Sequence, residues 1–237
     1  MSRLATAIAA FVAAWWCVPA LADTQVGVQG IVLSGTHAEP GATFGGTGEG
    51  VLLSLDQRWR AVQLHFEGIP NIATANVNSG NQAVTATIGV FAGSARFRLD
   101  RAGRYWLGAG TEILSQTTPL RGLGQLFSSR LAGSRYEFAT TLPLSPNHFI
   151  ETDFAGAPSL SGNIHEVTFF QNGFQVRVSG VETASMMDLS GAYGIRSGRF
   201  EYLFGLRSIN FAAKFANGSE ADRNVGTGVT AAIRFSL

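Results

Sequence analysis

The chain is poor in four things, and the lacks narrow what it can be. It has one cysteine, Cys17, in 237 residues, so no disulfide framework is possible. Charged residues make up 14% of it, against about 25% in an ordinary soluble domain. Beyond Leu21 no apolar run approaches the roughly 18 residues of a membrane-spanning helix. Net charge is also lacking: the formal value is +1, with no basic patch to hold a nucleic acid.

The first residues read as an export signal. Arg3 supplies a basic start, Leu4 to Val18 is an apolar core too short to span a bilayer, and Ala20-Leu21-Ala22 is a small-residue cleavage pattern. Cleavage is expected after Ala22, leaving residues 23–237 as one domain. Ala14-Trp15-Trp16 lacks the small residues of a lipoprotein signal, so Cys17 leaves with the leader. Loss of Arg3 makes the remaining chain formally neutral.

What the chain has is glycine, phenylalanine and alternation. There are 29 glycines and 17 phenylalanines, and glycine averages about 7% elsewhere. Met186 to Arg207 carries the pattern most plainly. Met187, Leu189, Gly191, Tyr193 and Ile195 share one face, and Phe200, Tyr202, Phe204 and Leu206 resume it after the turn Arg196-Ser197-Gly198-Arg199. Asp188, Ser190, Glu201, Gly205 and Arg207 take the other face. Successive side chains on a strand alternate, so this is a β-hairpin with one apolar and one polar side. With export and no spanning helix, a closed barrel is the remaining membrane fold, because only closure satisfies every backbone group in lipid.

The same alternation recurs along the chain. Val26, Val28 and Val32 mark the first strand. Val51, Leu53 and Leu55 face out on the second, opposite Ser54 and Asp56, with Gln57-Arg58 as its turn. Val62, Leu64 and Phe66 oppose Gln63, His65 and Glu67. A fourth strand begins with Val84, Ala86, Ile88 and Val90 outward, and a phase change near Gly93, read as a bulge, keeps Phe97 and Leu99 on that face. Further strands carry Tyr105, Leu107, Ala109 and Ile113; Tyr136, Phe138 and Leu142; and Ile150, Thr152 and Phe154. Asn172-Gly173 is a two-residue hairpin signal that pairs Phe169 with Val176 and Val167 with Val178. Counting Ile164–Gly180 as two strands gives about twelve, the preferred reading; taking it as a hairpin on a loop gives about ten, the alternative. Either even count places both termini on one side. Gly35–Gly48, Pro70–Gln82, Ser115–Ala132 and Ala213–Arg223 read as long loops.

Val229, Ala231, Ile233, Phe235 and Leu237 alternate to the chain end. Over residues 23–237 the sequence resembles the outer-membrane β-barrel proteins of Gram-negative bacteria as a broad class. Ile233, Phe235 and Leu237 resemble their C-terminal assembly signal, although a terminal Phe is the usual form. The resemblance implies an all-β, antiparallel up-and-down transmembrane barrel in the outer membrane, with lipid and the barrel-insertion machinery as partners. A soluble β-sandwich is the rival fold.

By parity the inner face holds Glu67, Glu112, Glu137, Glu151, Asp153, Asp188 and Glu201, opposed by Arg135, Arg177, Arg207 and Arg234. These residues either pair across the lumen or line a path for small solutes. Inward Gly108, Gly110, Gly205, Gly226 and Gly228 leave room for a narrow pore. A passive pore or structural barrel is therefore the first expectation. A surface interaction protein using the four loops is the second. A membrane hydrolase is the third: His65 with Glu67, placed near the outer rim, is its best candidate pair, with Ser79 in the adjoining loop. His37 with Glu39, and His165 beside Glu166, form no specific motif, and His148 lies by a short turn. No enzyme, metal or cofactor is expected. Tyr105, Tyr136, Tyr193 and Tyr202 read as lipid-facing or interfacial aromatics.

Overall fold

The computed structural model describes residues 23–39, 42–77, 83–120, 125–169, 175–215 and 220–237. Short stretches at the strand ends away from the termini are described in backbone alone. The expected leader, residues 1–22, lies outside the described residues.

Ten strands follow one another: β1 (Asp23–Glu39), β2 (Ala42–Trp59), β3 (Val62–Val77), β4 (Ala83–Arg98), β5 (Tyr105–Leu120), β6 (Gln125–Ser145), β7 (His148–Phe169), β8 (Gln175–Ser197), β9 (Phe200–Phe215) and β10 (Glu220–Ser236). Each pairs antiparallel with its sequence neighbours, and β1 pairs with β10, closing the barrel. Closure removes the edges that an open sheet would expose. Ile233 stands opposite Val28 and Phe235 opposite Val26, so the last apolar strand is the one that closes the ring.

The outward face is greasy in a band near the end that carries both termini. Leu53, Phe97, Leu107, Tyr136, Phe154, Leu189, Phe204, Leu206, Val229 and Ile233 are all exposed there. On β8 the band runs from Met187 to Ile195, and on β9 from Phe200 to Leu206 before Ser208 and Asn210. The nine residues on β8 match the roughly 9–11 tilted residues that cross a bilayer, and the seven on β9 fall slightly short of it. The strands are 16 to 23 residues long, so they overshoot the band at the other end.

Several expectations are corrected. The count is ten, the alternative to the preferred twelve, because Ile164–Gly180 falls largely within β7 and β8 and is not a separate pair of strands. Pairing runs from His148↔Ile195 up to Phe169↔Gln175 with one interruption between Ala157 and Leu160. Pro158 falls at that interruption, where its missing N–H breaks no ladder bond. Val167 stands opposite Arg177 and Thr168 opposite Val176, one residue off the register a two-residue turn would set. Asn172-Gly173 itself lies outside the described residues.

The four expected loops are largely strand: Gly35–Glu39, Ala42–Gly48, Pro70–Val77, Ser115–Leu120, Gln125–Ala132, Ala213–Phe215 and Glu220–Arg223 belong to β1, β2, β3, β5, β6, β9 and β10. The second turn falls at Arg60 and Ala61, past Gln57-Arg58, with Trp59 paired to Val62. Gly93 is in regular register, opposite Phe66 and Thr111. The irregularity lies instead at Pro70 and Asn71 of β3. Val90 faces inward and is 2% exposed, while Phe91 faces lipid. The reason is physical: in its outer half the barrel interior is itself apolar, so apolar residues there do not mark the lipid side.

Candidate functional site

The lumen has two tiers. At the depth of the lipid band it is charged. Arg135 on β6 sits at the centre, 2% exposed. Its Nη2 donates to Glu67 Oε1 at 2.5 Å, its Nη1 to Glu112 Oε2 at 2.7 Å and its Nε to Glu137 Oε1 at 2.5 Å. Glu137 also accepts from Arg96 Nε and Ser94 Oγ, at 2.5 and 2.6 Å. Arg96 reaches on to Asp153 of β7 at 2.6 Å. Glu67 accepts a second guanidinium from Arg207 of β9 at 3.2 Å, and Arg207 also grips Asp188. Nearer the termini, Arg234 of β10 binds both oxygens of Glu151, and Arg196 binds Glu201 at 2.8 Å.

So the structure joins Glu67, Glu112, Arg135, Glu137, Asp153, Asp188 and Arg207 into one network, and Glu151, Glu201 and Arg234 into a second below it. The side chain of Arg177 lies outside the described residues, as do those of His37, Glu39, His165 and Glu166, and all of Ser79. Arg96 and Asp56 belong to the network and were not singled out by sequence. Parity alone places both inside; the expected irregularity at Gly93 obscured Arg96.

Neighbouring side chains cover Gly108 and Gly226, whereas Gly110, Gly205 and Gly228 abut the backbone of the adjacent strand. A Cβ on Gly108 would come within 2.9 Å of the Arg96 stem, and one on Gly226 within 3.4 Å of Leu33. Phe149 lies flat over Gly194, where a Cβ would fall 2.2 Å from its ring.

His65 and Glu67 do point inward, but not at the outer rim. β3 begins at Val62, directly after a terminal-end turn, so His65 lies low in the barrel. It is 8% exposed. Its Nδ1 is 2.8 Å from Asp56 Oδ1, and its Nε2 is 3.9 Å from Glu67 Oε2. Gln63 donates to the same Asp56 oxygen at 2.5 Å. Asp56, His65 and Glu67 line a small, partly open cavity of about 60 Å³, together with Glu151, Asp153, Asp188, Arg207 and Arg234 and the apolar Leu52 and Leu203. Among the described residues no group of three or more His, Cys, Asp or Glu is arranged to hold a metal.

Above the charges the lumen is mainly apolar, with Gln116 and Ser129 buried among the aliphatic side chains. Ile31, Ile69, Leu114, Leu131 and Leu160 are at most 2% exposed, and Leu33, Leu52, Val90, Met186 and Phe211 pack with them. Among the described residues every strand but β10 contributes to this layer. Below the cavity, Phe149, Leu203 and Ala232 form a smaller apolar patch.

No protein-family model matches the chain, and no curated protein matches it in sequence. Its fold does match solved structures. The outer-membrane protease OmpT of Escherichia coli superposes with a TM-score of 0.56 at 10% identity, covering 91% of this chain and 96% of OmpT. The β domain of the Bordetella autotransporter BrkA gives 0.46 at 14% identity over 92% of this chain and all of that domain. The toluene transporter TodX of Pseudomonas putida gives 0.37 at 9% identity, over 92% and 90%. The OmpT likeness establishes the outer-membrane β-barrel fold and nothing finer.

Proposed function

We propose that the chain is an outer-membrane barrel with a sealed lumen, a structural barrel and not a passive pore. One observation carries this reading: a layer of fully buried aliphatic side chains, Ile31, Ile69, Leu114, Leu131 and Leu160, crosses the interior above the charge network. An ion entering from either end would have to shed its water against that layer, a cost of many kcal/mol for an unpaired charge. Beneath it, Arg135 and Arg207 already hold the carboxylates that would otherwise offer a hydrated path. The exposed apolar band supports the membrane setting, and the alternating strand that ends in Phe235 and Leu237 supports insertion by the barrel-assembly machinery. His65 fits a structural role, since its ring is enclosed beneath the sealed layer. Single-channel recording of refolded residues 23–237 tests the reading: discrete conductance steps would overturn it.

A second role follows from the strand lengths. β6, β7 and β8 run 21, 22 and 23 residues, about twice what the bilayer needs. With the lumen sealed, the wall that projects beyond the lipid is the working surface, as expected of a surface interaction protein. Shortening β7 and β8 together above the bulge at Pro158 should abolish cell-surface binding of a partner while leaving a folded, heat-modifiable barrel.

A further inference from the structure

The end of the barrel that carries the termini opens into a vestibule of about 240 Å³, far above the roughly 10–15 Å³ that admits one water. Four arginines line it: Arg58, Arg104, Arg196 and Arg234. Three are committed. Arg104 is held by Asp100 at 2.9 Å, Arg196 by Glu201 at 2.8 Å, and Arg234 by Glu151. The two carboxylates that line the vestibule, Glu151 and Glu201, are used up in these pairs.

Arg58 is different. It lies on the last turn-proximal segment of β2 and stacks on Trp106, 5.3 Å from the ring centroid. Trp106 is 3% exposed and anchored through its Nε1–H to the carbonyl of Gly103 at 3.0 Å. Among the described residues no carboxylate pairs with Arg58, although Asp23 stands opposite it in the register. Its Nε is buried and has no hydrogen-bond partner there. An aromatic face fixes a guanidinium plane without neutralising it. A buried N–H left without an acceptor is costly unless something supplies one. Arg196, at the rim, is held in the same manner over Phe149 at 4.4 Å. The vestibule therefore presents one uncommitted, pre-oriented guanidinium inside a ring of others.

We propose that this vestibule binds a single oxyanion group, the carboxylate or phosphate of a small solute, seated on Arg58 with Arg104 and Arg196 at the rim. A planar guanidinium fork is the group best matched to either anion. With the termini on the periplasmic side, where outer-membrane barrels place their short turns, the site faces the periplasm. It does not need an open lumen, so its failure and that of the sealed-lumen reading are separable.

The test uses refolded residues 23–237 carrying Trp59→Phe, which leaves Trp106 as the reporter. Sodium phosphate and sodium acetate are each titrated against sodium chloride at matched ionic strength. A saturable change in emission is expected with at least one of the two, and which one responds identifies the anion. Arg58→Gln should weaken it at least tenfold, while Arg101→Gln, an exposed arginine in the neighbouring turn that does not line the vestibule, should leave it unchanged. Heat-modifiable mobility on gels checks folding. If Arg58→Gln does not fold, Arg196→Gln replaces it and should weaken binding at least threefold. A response that does not saturate with either anion overturns the site. So does one that survives Arg58→Gln or its replacement, or one that falls equally with Arg101→Gln.

Discussion

Glu67 of β3 and Arg135 of β6 meet across the lumen, with two strands between them in the wall and Nη2 to Oε1 at 2.5 Å. The same carboxylate receives Arg207 from β9. Three strands, each three or four places apart in the ring of ten, are thus tied through one group. A hydrated channel would pass where this tie sits.

Removing the centre of the tie should be expensive. Arg135→Ala leaves Glu67, Glu112 and Glu137 together without their shared cation. Breaking a buried ion pair in this way costs about 3–5 kcal/mol, read as a lowered urea midpoint for the refolded barrel. Arg135→Lys should rescue little, because an ammonium cannot reach three carboxylates from one planar fork. Glu112→Gln should cost far less, since Glu112 Oε1 has no partner among the described residues and the amide oxygen still accepts from Arg135.

The lipid band makes its own prediction. Phe204 is 57% exposed in the middle of the band, and Leu144 is exposed beside a turn. An arginine at the bilayer midplane costs about 2–4 kcal/mol and about 0–1 near an interface. Phe204→Arg should therefore destabilise the barrel in vesicles much more than Leu144→Arg, measured by equilibrium unfolding. Equal effects would place the band wrongly.

Packing over glycine is testable at Gly194. Its hydrogen makes room for the Phe149 ring, so Gly194→Ala should cost about 1–3 kcal/mol by overpacking. Phe149→Leu in the same chain should recover part of that loss. A double-mutant cycle measures the coupling, and additive effects would contradict the contact.

One pH effect lies outside the membrane. In the turn before β5, slight desolvation pushes the Asp100 carboxyl up. The Arg104 side chain and the amides of Tyr105 and Arg104 outweigh that and hold it below the ordinary 3.8. A depressed acid contributes stability above its unfolded value and loses it as pH falls through the folded one. The turn should therefore loosen below about pH 3.8. Amide exchange at Tyr105 should accelerate there in the wild type, whereas Asp100→Asn should show no acid step.

Much of the fold was legible because lipid enforces strict alternation. At the depth of the band, every strand face read from sequence agrees with the structure, from Leu53 opposite Ser54 to Phe204 opposite Arg207. Legibility fails in the outer half. There Val90, Leu114, Leu131 and Leu160 face inward, so polarity no longer distinguishes lumen from surroundings. That is why Val84–Val90 read as outward and Gly93 as an irregularity. The preferred count of twelve gave way to the alternative of ten for a related reason: the alternation of Ile164–Gly180 about Asn172-Gly173 read as a separate hairpin, whereas β7 and β8 continue into it past a bulge at Pro158. The charged residues of the site were visible by parity, but their partners were not, since Arg234 and Glu151 lie 83 residues apart.

The central claim is the seal, and planar-bilayer recording of refolded residues 23–237 tests it most directly. The account predicts a quiet trace from the wild type. It predicts discrete steps only when the apolar layer is thinned, as in Leu131→Ala with Leu160→Ala. Reproducible steps from the wild type would contradict it and return the protein to the class of narrow pores.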